Sequence, residues 1–175
     1  MHMTKRKQNP ATADVTIERI GRNGYLHRVI PIVDKSGAVI QRVVKPLMVE
    51  FRTKDALQTV VGASILAIPA AYTEETWDLG SNLPLINVLG IALLSIVFIA
   101  TFVYYNFYRN YMGEFRGQYL LRVVSTYLIA FGLVAILLTL IQQCPWGVDN
   151  MLAIKRIIIV AFPASMSATV TDALK

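Results

Sequence analysis

The sequence predicts an all-α polytopic membrane protein, a bundle of four transmembrane helices with a small cytoplasmic β-hairpin near its N-terminus. Three observations lead to this fold class. Apolar residues make up 55% of the 175-residue chain and charged residues only 16%, and the mean hydropathy is +0.51. The apolar content and the mean hydropathy are higher, and the charged content is lower, than is usual for soluble domains. The apolar residues are gathered into four long blocks, and most basic residues lie outside them.

Each of the four blocks approaches the length of a membrane span, which is roughly 20 apolar residues at about 1.5 Å of helix rise per residue. The predicted spans cover residues 57–77, 83–105, 120–141 and 154–174. We therefore divide the chain into a flexible basic tail (1–20), a hairpin element (21–54) and a transmembrane bundle (55–175).

The basic residues indicate the orientation of the bundle. Eleven of the 17 Lys and Arg residues precede the first span, three more bracket the second connection, and the first connection has none. This asymmetry predicts a cytoplasmic N-terminus in a multi-pass protein of the cell (plasma or inner) membrane. It also explains the net charge of +6 through topology and lipid headgroups, so we expect no nucleic-acid partner. Lys155 and Arg156 do not fit the pattern, because they lie at the outer end of the fourth span. Two interpretations stay open for them: snorkelling to the interface or pairing with a carboxylate.

The hairpin is predicted from two β-branched runs, residues 25–33 and 38–44, with turn residues Asp34–Gly37 between them. Two strands alone are marginal in water. The hairpin is therefore expected to pack against a neighbour, a membrane surface or a second subunit.

The first span carries the candidate functional site. Helical spacing places Ala63, Ala67, Ala70 and Glu74 on one stripe of small residues that another helix can approach closely, so Glu74 should face the bundle. A proline cannot donate to the carbonyl four residues earlier, so a kink is expected beneath the acids. The proposed ion or proton site consists of Glu74, Glu75, Ile65, Pro69 and Thr73. The alternative is that both acids mark the wetted end of the helix.

Polar residues in the later spans are predicted to hold the helices together. Arg122 lies one turn inside the third span, and it either snorkels or pairs with Asp172 on the same side of the membrane. Ser165 and Asp172 belong to a small, polar stripe of the fourth span, and such residues commonly connect membrane helices.

The first and fourth spans also resemble each other. Residues 65–71 align without a gap on residues 159–165, with Pro69 opposite Pro163. Because these spans run in opposite directions, the match predicts an inverted three-plus-three repeat. Only one helix of the second unit is present in this sequence, so we expect either a longer protein or a homo-oligomer.

The motif at residues 67–77, with its Pro, Tyr-Thr, acid and Trp, resembles the first span of DUF2391, a family of uncharacterised integral membrane proteins of bacteria and archaea. Residues 162–165 resemble a proline-centred element of the same family. The resemblance covers the four-span region and implies a polytopic membrane protein, typically with more spans than this chain has.

Two classes of function follow from these patterns. The first is a cation or proton channel or transporter, with the carboxylate site on the first helix. The alternative is a membrane scaffold or interaction protein whose hairpin docks a cytoplasmic partner. The sequence has no His/Cys metal set, nucleophile–base pair or phosphate loop. We therefore expect no enzyme, no cofactor and no metal, and as partners the lipid bilayer, further copies of the chain and an inorganic cation or proton.

Overall fold

The computed structural model describes residues 16–20, 25–34, 39–47 and 49–174. The chain divides into two compact units, residues 1–50 and residues 51–175. Among the described residues, the strands lie in the first unit and the helices in the second.

The N-terminal unit is a three-stranded antiparallel sheet. Its strands are β1 (Thr16–Ile20), β2 (Tyr25–Val33) and β3 (Val39–Pro46), in the order β1-β2-β3. The sequence predicted only β2 and β3. The additional strand lies in the segment treated as a basic tail, where Glu18 and Arg19 interrupt the apolar pattern that marks a strand. Residues 1–15 of that tail and residues 35–38 of the predicted turn lie outside the described residues.

The second unit contains five helices. They are α1 (Thr53–Ala71), α2 (Glu74–Asn82), α3 (Leu85–Val103), α4 (Arg116–Leu140) and α5 (Asn150–Ala173), and α3 continues into a π-helical turn at Tyr104–Tyr108. Three helices are long and apolar enough to cross a membrane: Leu85–Tyr108, Arg116–Leu140 and Asn150–Ala173. They match the second, third and fourth predicted spans. The α1 and α2 helices meet at 82°. If this bent pair is counted as one span, the number of candidate spans rises from three to four.

The predicted continuous helix over residues 57–77 is wrong beyond Ala71. The chain turns at Tyr72 and Thr73, and the indole Nε1 of Trp77 donates to the terminal Ala71 carbonyl at 2.8 Å. A new helix then begins with two carboxylates in its first turn, where the helix dipole favours negative charge. The Thr73-Glu74-Glu75 segment is thus a helix start, which the apolar pattern around it conceals.

Helix α5 is the central element of the bundle. It packs against α1, α2, α3 and α4, and 44% of its most apolar segment is buried, against 22% for α3 and 28% for α4. Helices α1 and α5 are antiparallel and very close. A Cβ atom on Gly62 of α1 would lie 2.6 Å from the Thr171 side chain and 3.0 Å from the Ala168 backbone of α5. Small residues therefore determine the spacing of this pair.

The contacts define two ends of the bundle. The first residues of α1 and α4 meet the last turn of α5 at one end, through Arg122. At the other end, Arg156 near the start of α5 reaches Trp77 on α2 and Gln143 after α4. Helix α1 therefore runs between both ends, and its 19 residues measure about 28 Å, close to the roughly 30 Å of a hydrocarbon core.

Candidate functional site

A buried charge cluster lies at one end of the bundle and is centred on Arg122 of α4. The Arg122 side chain is fully buried. Its Nη2 atom lies 3.2 Å from Oδ2 of Asp55 on α1, and its Nε atom lies 3.4 Å from Oδ2 of Asp172 on α5. Three helices thus each contribute one charged group to what we call the charge cluster: Asp55, Arg122 and Asp172.

The first turn of α1 positions Asp55. The same Oδ2 atom that faces Arg122 also accepts a hydrogen bond from the Arg52 backbone N–H at 3.0 Å, one of the donors that a helix start leaves open. Asp55 is 8% exposed and Asp172 is 1% exposed. Both carboxylates are therefore held inside the protein and are shielded from bulk water.

Buried hydroxyl groups continue from the charge cluster into the bundle. Those beyond the cluster are Thr59 on α1, Ser95 on α3, Thr126 on α4, and Ser165 and Thr169 on α5. Four of these hydroxyls donate to backbone carbonyls of their own helices. Thr126 lies one helical turn beyond Arg122 on the same face, and its hydroxyl has no hydrogen-bond partner among the described residues.

The charge cluster places two carboxylates around one guanidinium group. Desolvation of ions costs several kcal/mol each, so such groups persist inside a protein only when they are paired. Ionisable groups inside a membrane protein commonly mark ion pathways and proton relays.

The π-helical turn at the end of α3 covers the charge cluster with aromatic rings. The guanidinium carbon of Arg122 lies 4.0 Å from the ring centroid of Phe107 and 5.7 Å from that of Phe51. Tyr108 is fully buried and makes an edge-on contact with Tyr119, with ring centroids 5.5 Å apart. Single π-helical turns occur often at functional sites. In the sequence, this aromatic run is typical of an interfacial belt, and that pattern does not reveal the buried contacts.

The structure does not bring the predicted acid site together in the interior of the bundle. Glu74 and Glu75 are exposed in the first turn of α2, so the expectation that Glu74 faces the bundle is wrong in this chain. Ile65 is 58% exposed and Pro69 is also exposed. The Thr73 hydroxyl donates to the Ala70 carbonyl at 3.0 Å and lies 2.7 Å from the Thr76 hydroxyl, which completes the local turn.

The predicted packing residues lie at helix contacts. Ala63 and Ala67 are fully buried, and Ala70 is half-buried beside the same apolar cluster. On α5, Ser165 is fully buried and Pro163 is half-buried. The stripe of small residues is therefore present in α1, but it ends at Ala71 because the helix ends there.

Arg156 is bound by backbone carbonyl groups at the opposite end of the bundle. Its Nε atom donates to the Trp77 carbonyl at 3.3 Å, and its Nη1 atom donates to the Gln143 carbonyl at 2.7 Å. Lys155 donates to the Leu83 carbonyl at 2.8 Å. Arg156 and Lys155 thus bind α2 and its C-terminal end to α5. This arrangement is neither snorkelling nor pairing with a carboxylate.

Sequence reasoning missed Asp55, although a signal was present. Asp55 lies four residues before Thr59 and eight before Ala63, so it extends the small-residue stripe of α1 by two turns toward the N-terminus. The prediction placed the start of the span at residue 57 and left this carboxylate outside it.

Three helices that are long and apolar enough to cross a membrane define the class as a helical integral membrane protein. The sequence matches the family described as "Putative integral membrane protein (DUF2391)" over residues 37–172, and the chain belongs to this family. The match includes strand β3 as well as all five helices, so it extends beyond the four-span region that carried the resemblance. Comparison with curated proteins and with solved structures gives no match. Among the described residues, no group of three or more His, Cys, Asp or Glu side chains could hold a metal ion.

Proposed function

We propose that this protein moves protons or small monovalent cations across the membrane and that the charge cluster is the site they occupy. One observation carries the proposal: a fully buried arginine is shared by two carboxylates that come from two different helices. Ionisable groups gathered inside a membrane bundle commonly mark proton relays and ion pathways.

The carboxylate that the first helix contributes is Asp55 in this proposal. Glu74 and Glu75 have a different role, because they lie exposed beside the opposite end of the bundle. There they raise the local concentration of cations. The hydroxyl groups of Thr59, Thr126 and Thr169 provide oxygen ligands or proton carriers beyond the charge cluster.

The proposal includes an arrangement in the membrane. We propose four spans in the cell membrane, with α1 crossing alone, α2 lying along the interface, and both the N-terminus and the charge cluster on the cytoplasmic side. The lengths of α1 and α3–α5 and the basic N-terminal segment support this arrangement.

The antiparallel contact of α1 with α5, and the burial of both Ala67 and Ala161, support the inverted repeat. Most of the apolar side chains on α1 and α3 are exposed, which leaves room for homo-oligomers in the bilayer.

Flux into liposomes tests the transport function. Purified protein is reconstituted with a pH-sensitive dye inside the vesicles, and proton, potassium and sodium gradients are imposed in turn. The proposal expects flux of at least one ion, and it expects Asp55→Asn and Asp172→Asn to reduce that flux to the level of empty liposomes. Asp78→Asn is the matched control, because it removes an exposed carboxylate that has no role in the proposal. Absence of flux for all three ions, or full flux in both Asp variants, would reject the proposal.

A second candidate function is docking of a cytoplasmic partner by the N-terminal sheet, with no catalytic role for the chain. Four apolar residues next to the β2–β3 turn are exposed: Ile32, Val33, Val39 and Ile40. An exposed apolar group of this kind favours an interaction surface. Replacing Ile40 with Asp in the full-length protein tests the docking role. Co-purification from cells should lose a specific partner while flux in liposomes is unchanged, and an unaltered set of co-purified proteins would reject it.

A further inference from the structure

A pocket of about 320 Å³ lies beside the π-helical turn of α3. Its lining residues belong to one continuous segment: Tyr105, Asn106, Phe107, Arg109, Asn110 and Tyr111. Aromatic rings, two amides and one cationic side chain form a surface that water can wet. This polar composition suits water better than an apolar ligand.

Phe107 connects this pocket with the charge cluster. The residue is half-buried, lines the pocket, and places its ring 4.0 Å from the guanidinium carbon of Arg122. Arg122 in turn contacts both Asp55 and Asp172. Phe107 is therefore the residue that both lines the pocket and contacts the guanidinium of the charge cluster.

We propose that this pocket is the entrance to the charge cluster and that the ring of Phe107 closes it to water and monovalent cations. The inference rests on the proposed transport function, because it assigns the route by which the transported ion reaches its site. The π-helical turn suits this role. It contains one residue more per turn than an α-helix, and a shift back to α-helical hydrogen bonding would rotate the rings of Phe107 and Tyr108.

The experiment measures access to the interior and not transport. Thr126, one turn beyond Arg122, is replaced by Cys in a Cys144→Ser background, so that the protein carries a single buried thiol. The cationic reagent 2-aminoethyl methanethiosulfonate is added to protein in phosphatidylcholine/phosphatidylglycerol liposomes. We expect slow modification of the parent protein and modification that is about tenfold faster or more when Phe107 is also changed to Ala.

Two control variants make the result specific to the ring of Phe107. Tyr105→Ala enlarges the same pocket without touching Arg122, so the rate should stay at the parent value. Phe107→Trp keeps an aromatic cover and should modify as slowly as the parent. Phe107→Leu serves in place of the Ala variant if the latter fails to elute as a folded species in size-exclusion chromatography.

The outcomes distinguish the entrance from transport itself. A rate that depends on Phe107 supports the entrance even if the wild-type protein passes no ion, a result that would reject only the transport function. Equal rates in the parent and in a folded Phe107→Ala or Phe107→Leu variant would overturn the entrance, even if flux is observed. Equal acceleration by Tyr105→Ala would also overturn it, because the ring over Arg122 would then have no special role.

Discussion

The Nη2 atom of Arg122 lies 3.2 Å from Oδ2 of Asp55, and this contact joins the start of α4 to the start of α1. The same carboxylate oxygen accepts the Arg52 backbone N–H, so the ion pair is built onto the cap of α1. Asp172 binds the other side of the guanidinium and adds the end of α5. The stability of three helix ends therefore depends on one arginine.

Replacing Arg122 with Met should strongly destabilise the bundle. The variant leaves two carboxylates without their shared cation, and breaking a buried ion pair in this way costs about 3–5 kcal/mol. Unfolding in detergent micelles, followed by circular dichroism against temperature or SDS fraction, measures the loss. Arg116→Met is the control on the same helix, because Arg116 is exposed and its removal should cost less than about 1 kcal/mol.

The triple variant Arg122→Met, Asp55→Asn, Asp172→Asn separates the ion pair from general packing. With the uncompensated charges removed, most of the lost stability should return, since neutral replacements of buried ion pairs are often tolerated. If the triple variant is as unstable as Arg122→Met alone, the packing of the arginine stem, and not its charge, stabilises this end of the bundle.

The sequence predicts the bundle well and its ionic centre poorly. Long apolar blocks determine α3, α4 and α5, because a hydrophobic run of that length has few alternatives in a polytopic protein. The position of Arg122 inside a span left both snorkelling and pairing with Asp172 open, and the structure shows the pair with Asp172. Its second partner is separated from it by 67 residues, and no local pattern encodes that distance.

The break between α1 and α2 shows where apolar patterns mislead. Apolar residues such as Trp77 and Leu79 follow the break as well as precede it, whereas the direction of the chain changes by 82°. The decisive interactions are polar and local: the Trp77 indole on the Ala71 carbonyl and the Thr73 hydroxyl on the Ala70 carbonyl. A pattern that averages over many residues cannot resolve a bend made by two hydrogen bonds.

Replacing Gly62 with Ala should push α1 and α5 apart. The added methyl group would lie 2.6 Å from the Cβ of Thr171 and 3.0 Å from the Ala168 backbone, so the helices must move. Overpacking of this kind costs about 1–3 kcal/mol. Thermal unfolding in detergent measures the effect.

Gly132→Ala is the matched control for this substitution. Gly132 also lies within a helix, but nothing lies within 4 Å of its added Cβ. Alanine favours the helix over glycine, so this variant should be unchanged or more stable by up to about 1 kcal/mol. Equal unfolding curves for the two variants would contradict the close approach of α1 and α5.

Replacing Arg156 with Met should release α2 from the bundle. The Met side chain preserves the apolar contact that the Arg156 methylene groups make with Gly80. It removes the N–H groups that donate to the Trp77 and Gln143 carbonyls. Amide hydrogen exchange over residues 74–82 should accelerate by about tenfold, because local opening costs less when a helix loses its tertiary contacts. In a Trp146→Phe background, the emission of Trp77 should also shift to the red.

Arg109→Met controls for the general loss of a positive charge. Arg109 is exposed and lies at the other end of α3, so exchange in α2 should keep the wild-type rate. If Arg156→Met leaves both exchange and Trp77 emission unchanged, the packing of Gly80 and Lys155 alone suffices to hold α2.

The single cysteine reports on the loop between α4 and α5 through its reactivity. Burial raises the pKa of the Cys144 thiol above its ordinary value, and the opposing effects of Thr139 and Arg156 are smaller. Only the thiolate reacts, so a raised pKa means a smaller reactive fraction at any pH below it.

Alkylation of Cys144 by iodoacetamide at pH 8 should therefore be at least about tenfold slower than that of an exposed cysteine. Cys144→Ser combined with Val148→Cys provides that reference, because Val148 is 91% exposed in the same loop. The rate for Cys144 should still be rising at a pH where the reference has levelled off. Matching pH profiles for the two thiols would show that solvent reaches Cys144, and that the loop packs less tightly against α5 than the 8% exposure of this residue indicates.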